Sequence, residues 1–373
     1  MKRRICIILI VFLFLFQGCS SSKKQNDDKN KMEVKSNQKI DVTAAKSFMD
    51  NYMKYLLKKN TSAVKSFYAA KLKESLKDVP LEKEPHAVGY KIEKGEMKEK
   101  KVEYTAHIYN AYSYKPYFSD DMFKYTILLE DGNMKIESIS KEKSVEVYEK
   151  NGAVIKKDDK GKEESILSLS DLPEFITSEE SNLLEQKFEV PKGKLGPLAM
   201  SPDGKTYIVT STDKNTFICT VKKEEEKQTF TEGGADDKQK AGGGDKKKGT
   251  EKEKPEEEGK KKTITIKPVD FYFESKVNII CFSNSGKFFA VEYVPKSSIN
   301  HIFIYDSNGK KVKTEIENRF PVDKFYITSP AFISNEEICF SLKAIESATD
   351  EEKKLNGEWI YNLKTNKLSQ VTG

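Results

Sequence analysis

The stretch Leu198-Ala199-Met200-Ser201-Pro202-Asp203-Gly204-Lys205, running on into Tyr207-Ile208-Val209, reads as a strand, a tight turn and a returning strand. Pro202 presets φ for the turn, and Gly204 takes a backbone conformation that a side chain would resist. A like unit recurs at Ile279-Ile280-Cys281-Phe282-Ser283-Asn284-Ser285-Gly286-Lys287 and continues through Phe288-Phe289-Ala290-Val291. A degraded third copy runs from Pro330-Ala331-Phe332-Ile333-Ser334-Asn335 to Ile338-Cys339-Phe340-Ser341. Each copy leads into a further apolar strand, at Phe217–Val221, Ile302–Asp306 and Trp359–Leu363.

Ser201 and Ser283 lie 82 residues apart, but 222–262 is a Lys/Glu/Gly insert of 41 residues without hydrophobic pattern. Removing it leaves a spacing of 41, within the roughly 40 to 50 residues of a propeller blade. The turns and the ending Trp359-Ile360-Tyr361-Asn362-Leu363-Lys364-Thr365 resemble the repeats of TolB-type and WD-repeat β-propellers. That resemblance implies an all-β partial or small β-propeller over residues 191–373, with three recognisable blades. Characterised rings have about 4 to 8 blades, so three do not close one. Either the strands at 145–169 supply a fourth, or the sheets form an open stack, or a dimer completes the ring. The insert, with thirteen lysines and twelve acids, reads as a solvated, disordered loop between the outer strands of one blade. Its Gly242-Gly243-Gly244-Asp245-Lys246 lacks the frame of a phosphate loop.

Upstream, the period changes. Ala45, Phe48, Met49, Tyr52, Met53 and Leu56 fall on one helical face, with Asp41 or Thr43 as cap. A second helix is predicted from Asn60 or Thr61 through Val64, Phe67, Tyr68, Leu72 and Leu76, ended by Pro80 and Pro85. Strands follow over Tyr90–Lys98, Val102–Ile108 and Phe123–Leu129, and Glu130-Asp131-Gly132-Asn133 is a hairpin turn before Met134. Residues 41–140 thus make an α+β domain. This element order, ending in Met134-Lys135-Ile136-Glu137-Ser138-Ile139, resembles the nuclear-transport-factor-2-like (cystatin-like) modules of bacterial envelope lipoproteins. The resemblance implies a cone-shaped α+β domain whose open end binds small ligands in some members. Tyr104, His107, Tyr109, Tyr112, Tyr114, Tyr117, Phe118 and Tyr125 are the residues expected near such a pocket or its rim, with Tyr104, His107, Tyr109, Tyr112 and Tyr125 as the pocket candidates. His107 has no neighbouring acid in sequence that would make it a general base. Residues 141–190 read as connecting strands at Val145–Tyr148, Ala153–Lys156 and Glu164–Leu169, then a helix at Ser178–Gln186.

The chain opens with Lys2-Arg3-Arg4, an apolar run from Ile5 to Phe16, and Gln17-Gly18-Cys19. The run is shorter than the roughly 20 apolar residues a stable span requires, and the pattern is that of a secretory signal. Gly18-Cys19 resembles the bacterial lipoprotein signal, although Phe16 and Gln17 depart from the usual Leu and small residue. The resemblance implies cleavage after residue 18 and acylation of Cys19. Acyl chains contribute about 0.8 kcal/mol per buried methylene, so two or three would hold the protein at a bilayer. Residues 19–40, rich in Ser, Lys, Asn, Gln and Asp, would then be a flexible tether.

The net charge is +6. Three of the 65 basic residues lie in the signal, which leaves 62 against 59 acids. Beyond the signal Arg319 is the sole guanidinium. Bidentate reading of bases or phosphates is arginine's role, so nucleic-acid binding is disfavoured. Cys219, Cys281 and Cys339 sit in apolar strand contexts and read as buried thiols. His86, His107 and His301 lack zinc-site spacing, and no cofactor is expected. No Gly-x-Ser-x-Gly elbow, His-Glu-x-x-His pair or dinucleotide fingerprint occurs. The expectation is a non-enzymatic lipoprotein anchored on the extracytoplasmic face of the cell membrane. It would act as a scaffold or regulatory partner for another envelope protein. The alternative is a lipoprotein that binds a small molecule or glycan at the N-terminal aromatic cluster.

Overall fold

Helical periodicity in the first described segment produces a helix where the cap chemistry allows it to start. The computed structural model describes residues 39–76, 84–177, 187–223, 264–296 and 299–371. Cys19, the tether up to residue 38, the expected helix at 178–186 and nearly all of the charged insert lie outside them, whereas Ile40, expected at the end of the tether, is buried in the core. Asp41 accepts a hydrogen bond from the Ala44 N–H at 2.7 Å, and α1 (Val42–Leu57) buries Ala45, Met49, Tyr52 and Met53. Asn60 caps α2 (Thr61–Ser66) in the same way, through the Ala63 N–H at 3.0 Å. The second predicted helix is two: α2 stops, and α3 (Ala70–Ser75) begins after a gap. In that gap Ile136 donates to the Phe67 carbonyl and accepts from the Ala69 N–H, each at 2.9 Å. Sheet pairing there replaces helical bonds that periodicity alone would have continued.

The strands β1 (His86–Ile92), β2 (Glu96–Lys98), β3 (Lys101–Ala111), β4 (Tyr117–Glu130), β5 (Asn133–Lys150), β6 (Ala153–Lys157) and β7 (Glu163–Ser168) follow. The β4–β5 turn carries Asp131 and Gly132 at φ 51° and 78°, the pair of left-handed residues that a two-residue hairpin needs. The strand read at 145–148 is not separate but the end of β5, which pairs with β4 from Asn133 to Tyr148. β8 (Phe175–Thr177) and β9 (Lys187–Glu189) form a two-stranded ribbon.

Three antiparallel meanders come next. The first is β10 (Lys194–Met200), β11 (Thr206–Thr212), β12 (Thr216–Lys223) and β13 (Ile264–Tyr272), so the insert joins the outer two strands of one sheet. The second is β14 (Ser275–Phe282), β15 (Phe288–Pro295) and β16 (His301–Asp306). After α4 (Ile316–Arg319), the third comprises β17 (Phe325–Phe332), β18 (Glu337–Ala344), β19 (Gly357–Asn362) and β20 (Lys367–Gln370), with α5 (Asp350–Lys353) between β18 and β19. The repeated turn has one geometry in its first two copies. The Ser201 N–H donates to the Thr206 carbonyl at 2.8 Å, and its hydroxyl takes the Thr206 N–H at 2.9 Å. Ser283 repeats both bonds with Phe288 at 2.9 and 3.1 Å, while Gly204 and Gly286 sit at φ 71° and 68°. The degraded copy keeps the serine contact, Glu337 N–H to the Ser334 hydroxyl at 3.0 Å.

β17 also pairs in parallel with β1, at Phe332 and Gly89, which joins the third meander to β1–β7 in one eleven-stranded sheet. Around a shared core β10 packs on β14, β14 on β17, and β10 also on β4 and β5. A separate core lies between α1 to α3 and the inner face of β1 to β5, closed by Ala331, Ile333 and Cys339. Phe320, ringed by Phe325, Phe340 and Trp359, is fully buried. A side chain of that size contributes up to about 3 kcal/mol. Among the described residues no helix is long and apolar enough to cross a membrane.

Candidate functional site

Strand alternation fixes the sheets, and the loops at their ends carry what the sheets expose. The serine turns lie at one end, where Gly286 faces Pro202 and Ser201. At the other end three loops converge. The β11–β12 loop closes on itself through the Asp213 N–H to the Asn215 carbonyl, 3.0 Å. Asn215 then accepts the Glu274 N–H at 2.9 Å, and Thr216 donates to the Ser275 carbonyl at 2.7 Å, which pins the β13–β14 turn beside it. Lys214 and Lys296 flank Glu274 at 3.1 and 3.2 Å and hold its carboxyl below the usual range. All three are solvated, so the pairs add little stability.

The third loop, joining β3 to β4, reaches across to β14, where the Tyr114 N–H donates to the Asn278 carbonyl at 3.0 Å. Tyr114 holds φ at 59°, an uncommon state for a side-chain residue. Asn278 is itself held: its amide donates to Glu292 at 2.8 Å, and Glu292 also takes the Asn300 amide at 2.7 Å and the Ser329 N–H at 3.0 Å. Burial pushes the Glu292 carboxyl up against those three donors, and burial followed by Glu292 pushes the Tyr114 phenol up.

Between β10 and β14 lies a cleft of 720 Å³, with Tyr114, Lys194, Asp213 and Lys276 on its walls. Its floor is polar but internally satisfied. Thr210 donates to the Pro197 carbonyl and Thr216 to the Ser275 carbonyl, both at 2.7 Å. Gly196 allows the close approach, since a Cβ there would stand 2.5 Å from the Thr210 hydroxyl. Asp213 also borders a second hollow of 470 Å³, lined by Glu174, Phe175, Glu189, Lys192 and Asn215. Phe271 and Phe273 form a ring cluster with Phe188 of β9, with centroids 5.0 to 5.5 Å apart. Tyr114, Phe175 and Phe273, 52%, 54% and 58% exposed, are the most exposed aromatic residues described. All three border these loops.

No family model matches the chain, and no curated protein matches it. Among solved structures it is similar to TolB from Acinetobacter baumannii, at 12% identity and a TM-score of 0.29, covering 76% of this chain and 69% of that one. It is also similar to the Cps50 (Swd1) β-propeller domain of Myceliophteria thermophila, at 11% identity and 0.26, covering 70% and 84%. A third is the acylaminoacyl peptidase of Pyrococcus horikoshii, at 10% identity and 0.27, covering 76% of this chain and 46% of that one. The architecture stands on the chain's own strand order and registers.

The aromatic cluster expected in the N-terminal part does not gather around one pocket. Tyr104 and Tyr125 are buried in the core under the helices, where Tyr104 donates to the Val42 carbonyl at 2.6 Å. Tyr109 lies in the other core, stacked on Phe118. Tyr112 is half-buried and meets Tyr117 edge-on at 4.9 Å. His107 does have acidic partners, contrary to the sequence reading: Asp120 at 2.7 Å from Nδ1 and Glu93 at 3.4 Å from Nε2. They come from β4 and from the loop after β1, so no local spacing announces them. The Asp120 bond raises the imidazole pKa despite burial. With a carboxylate at each nitrogen, His107 acts as a clasp between strands. Cys219, Cys281 and Cys339 are buried free thiols, as expected. Burial pushes Cys219 and Cys339 up to about 12, which suppresses thiolate chemistry. Among the described residues no His, Cys, Asp or Glu group could hold a metal ion.

Proposed function

We propose that this chain is a non-catalytic scaffold that binds another envelope protein, held on the extracytoplasmic face of the membrane through acylated Cys19. In this reading its N-terminal part is a nuclear-transport-factor-2-like cone, and the sheet of β4 to β7 serves as the fourth side of a small propeller. The observation that supports binding is the convergence of Tyr114, Phe175 and Phe273 on one end of the sheets. Aromatic residues are enriched where proteins meet and account for much of the binding energy there. A rigid frame that presents loops suits recognition. Buried Tyr104 and Tyr125 leave little room for the alternative of a ligand pocket beneath the helices.

The test is crosslinking in intact cells followed by mass spectrometry, comparing the native chain with Cys19→Ala. Crosslinks from Lys192, Lys194, Lys214 and Lys276 to one envelope protein, lost with the anchor, support the reading. An abundant membrane-held chain with no protein partner refutes it.

A further inference from the structure

We infer that the cleft between β10 and β14 takes an extended acidic peptide segment of the partner, so the inference rests on the scaffold reading above. The threonine hydroxyls of the floor do not select a ligand, because Thr210, Thr212 and Thr216 direct their hydrogens to the Pro197, Asn215 and Ser275 carbonyls. Selection therefore falls to the walls. Lys194 and Lys276 stand exposed on the two facing strands. Neither has an ion-pair partner among the described residues, whereas nearby Lys214 and Lys296 are both engaged by Glu274. Among the described residues Asp213 is the one acidic side chain on the lining, against two lysines, so the lining carries a net positive charge. Carboxylates on a bound segment complement it.

The remaining wall is Tyr114, an apolar plate with a polar tip. Its backbone is fixed by Asn278, which Glu292 holds in turn. A wall ordered before binding lowers the entropy lost on binding. At 720 Å³ the cleft has the size of a recognition site rather than a packing defect. Among the described residues β10 and β14 are each the edge strand of their own sheet, and both are buried almost throughout except at Lys194 and Lys276, so an extended segment lies across the mouth between these two lysines. Ammonium groups and an aromatic plate together favour a peptide bearing both carboxylates and apolar side chains over a free small anion.

The experiment measures fluorescence anisotropy of a short labelled Glu/Leu peptide with the full chain, against a Lys/Leu peptide of equal length and an acidic oligosaccharide. Expected is binding of the Glu/Leu peptide that weakens with salt. Lys194→Ala/Lys276→Ala should weaken it about tenfold. Lys194→Glu/Lys276→Glu should abolish it and admit the Lys/Leu peptide. Both side chains are exposed, so thermal midpoints should stay at the native value. A variant that unfolds is replaced by the single substitutions. Equal binding of both peptides, unchanged binding in the variants, or binding of the oligosaccharide alone overturns the assignment. The scaffold reading is separately readable in the crosslinking. A partner retained by the lysine variants sinks only the peptide assignment, whereas a native chain that captures no partner sinks the scaffold reading.

Discussion

His301 should make this protein lose stability as pH falls below neutrality, by an amount that can be worked out. The side chain is fully buried at the start of β16, and among the described residues neither ring nitrogen has a hydrogen-bond partner. Burial lowers its pKa to about 4, with Glu317 acting to raise it and Lys311 to lower it. An unfolded histidine titrates near 6.5. The folded state therefore binds fewer protons than the unfolded state between these values, so stability rises with pH across that window and is lost as pH falls through it. One pKa unit corresponds to about 1.4 kcal/mol, which gives a loss of about 2 kcal/mol at about pH 5 and about 3 kcal/mol below both values. His86 shifts the same way, to about 4, and Glu292 the opposite way. A difference against His301→Leu isolates the one group. Denaturant unfolding of both chains at about pH 8 and about pH 5 should show the native chain losing about 2 kcal/mol more than the variant. Equal losses would refute the assignment of a buried neutral imidazole.

Three further outcomes follow from named contacts. Glu292→Ala leaves the Asn278 and Asn300 amides and the Ser329 N–H without their acceptor, and unfolding measurements should show a loss of about 3 kcal/mol. Gly196→Ala drives a methyl group into the Thr210 hydroxyl at a cost of about 1 to 3 kcal/mol, and in a double-mutant cycle Thr210→Ala should recover part of it. Ser283→Ala removes the acceptor of the Phe288 N–H. It should lower stability by about 1 kcal/mol, as should Ser201→Ala at the matching position.

What the sequence made legible was local. Asp41 and Asn60 cap helices because a side chain and an amide three residues on can meet within one turn. The Ser201 and Ser283 turns are readable because every bond that shapes them lies within five residues. Pairing between distant segments left no such mark. Nothing near Phe67 announces Ile136, so the helix break was missed. Nothing near Gly89 announces Phe332, although that contact carries the sheet from the N-terminal strands into the last meander. The candidate site was hidden for the same reason. Tyr114 belongs to the aromatic run expected near a pocket rim of the N-terminal domain, but its place beside Asn278 arises from a hairpin reaching a strand far along the chain. Period-2 alternation marks which residues face a core, but it does not show which loops meet at the end of the sheets.

The most direct test places a photo-crosslinking amino acid at Phe273 in the membrane-held chain and, in parallel, at Met97, an exposed apolar residue of β2. The scaffold account predicts that position 273 captures one envelope protein on irradiation and that position 97 does not, with the capture lost in Tyr114→Ser/Phe175→Ser. Equal capture at both positions, or none at 273 while the chain sits at the membrane, would contradict it.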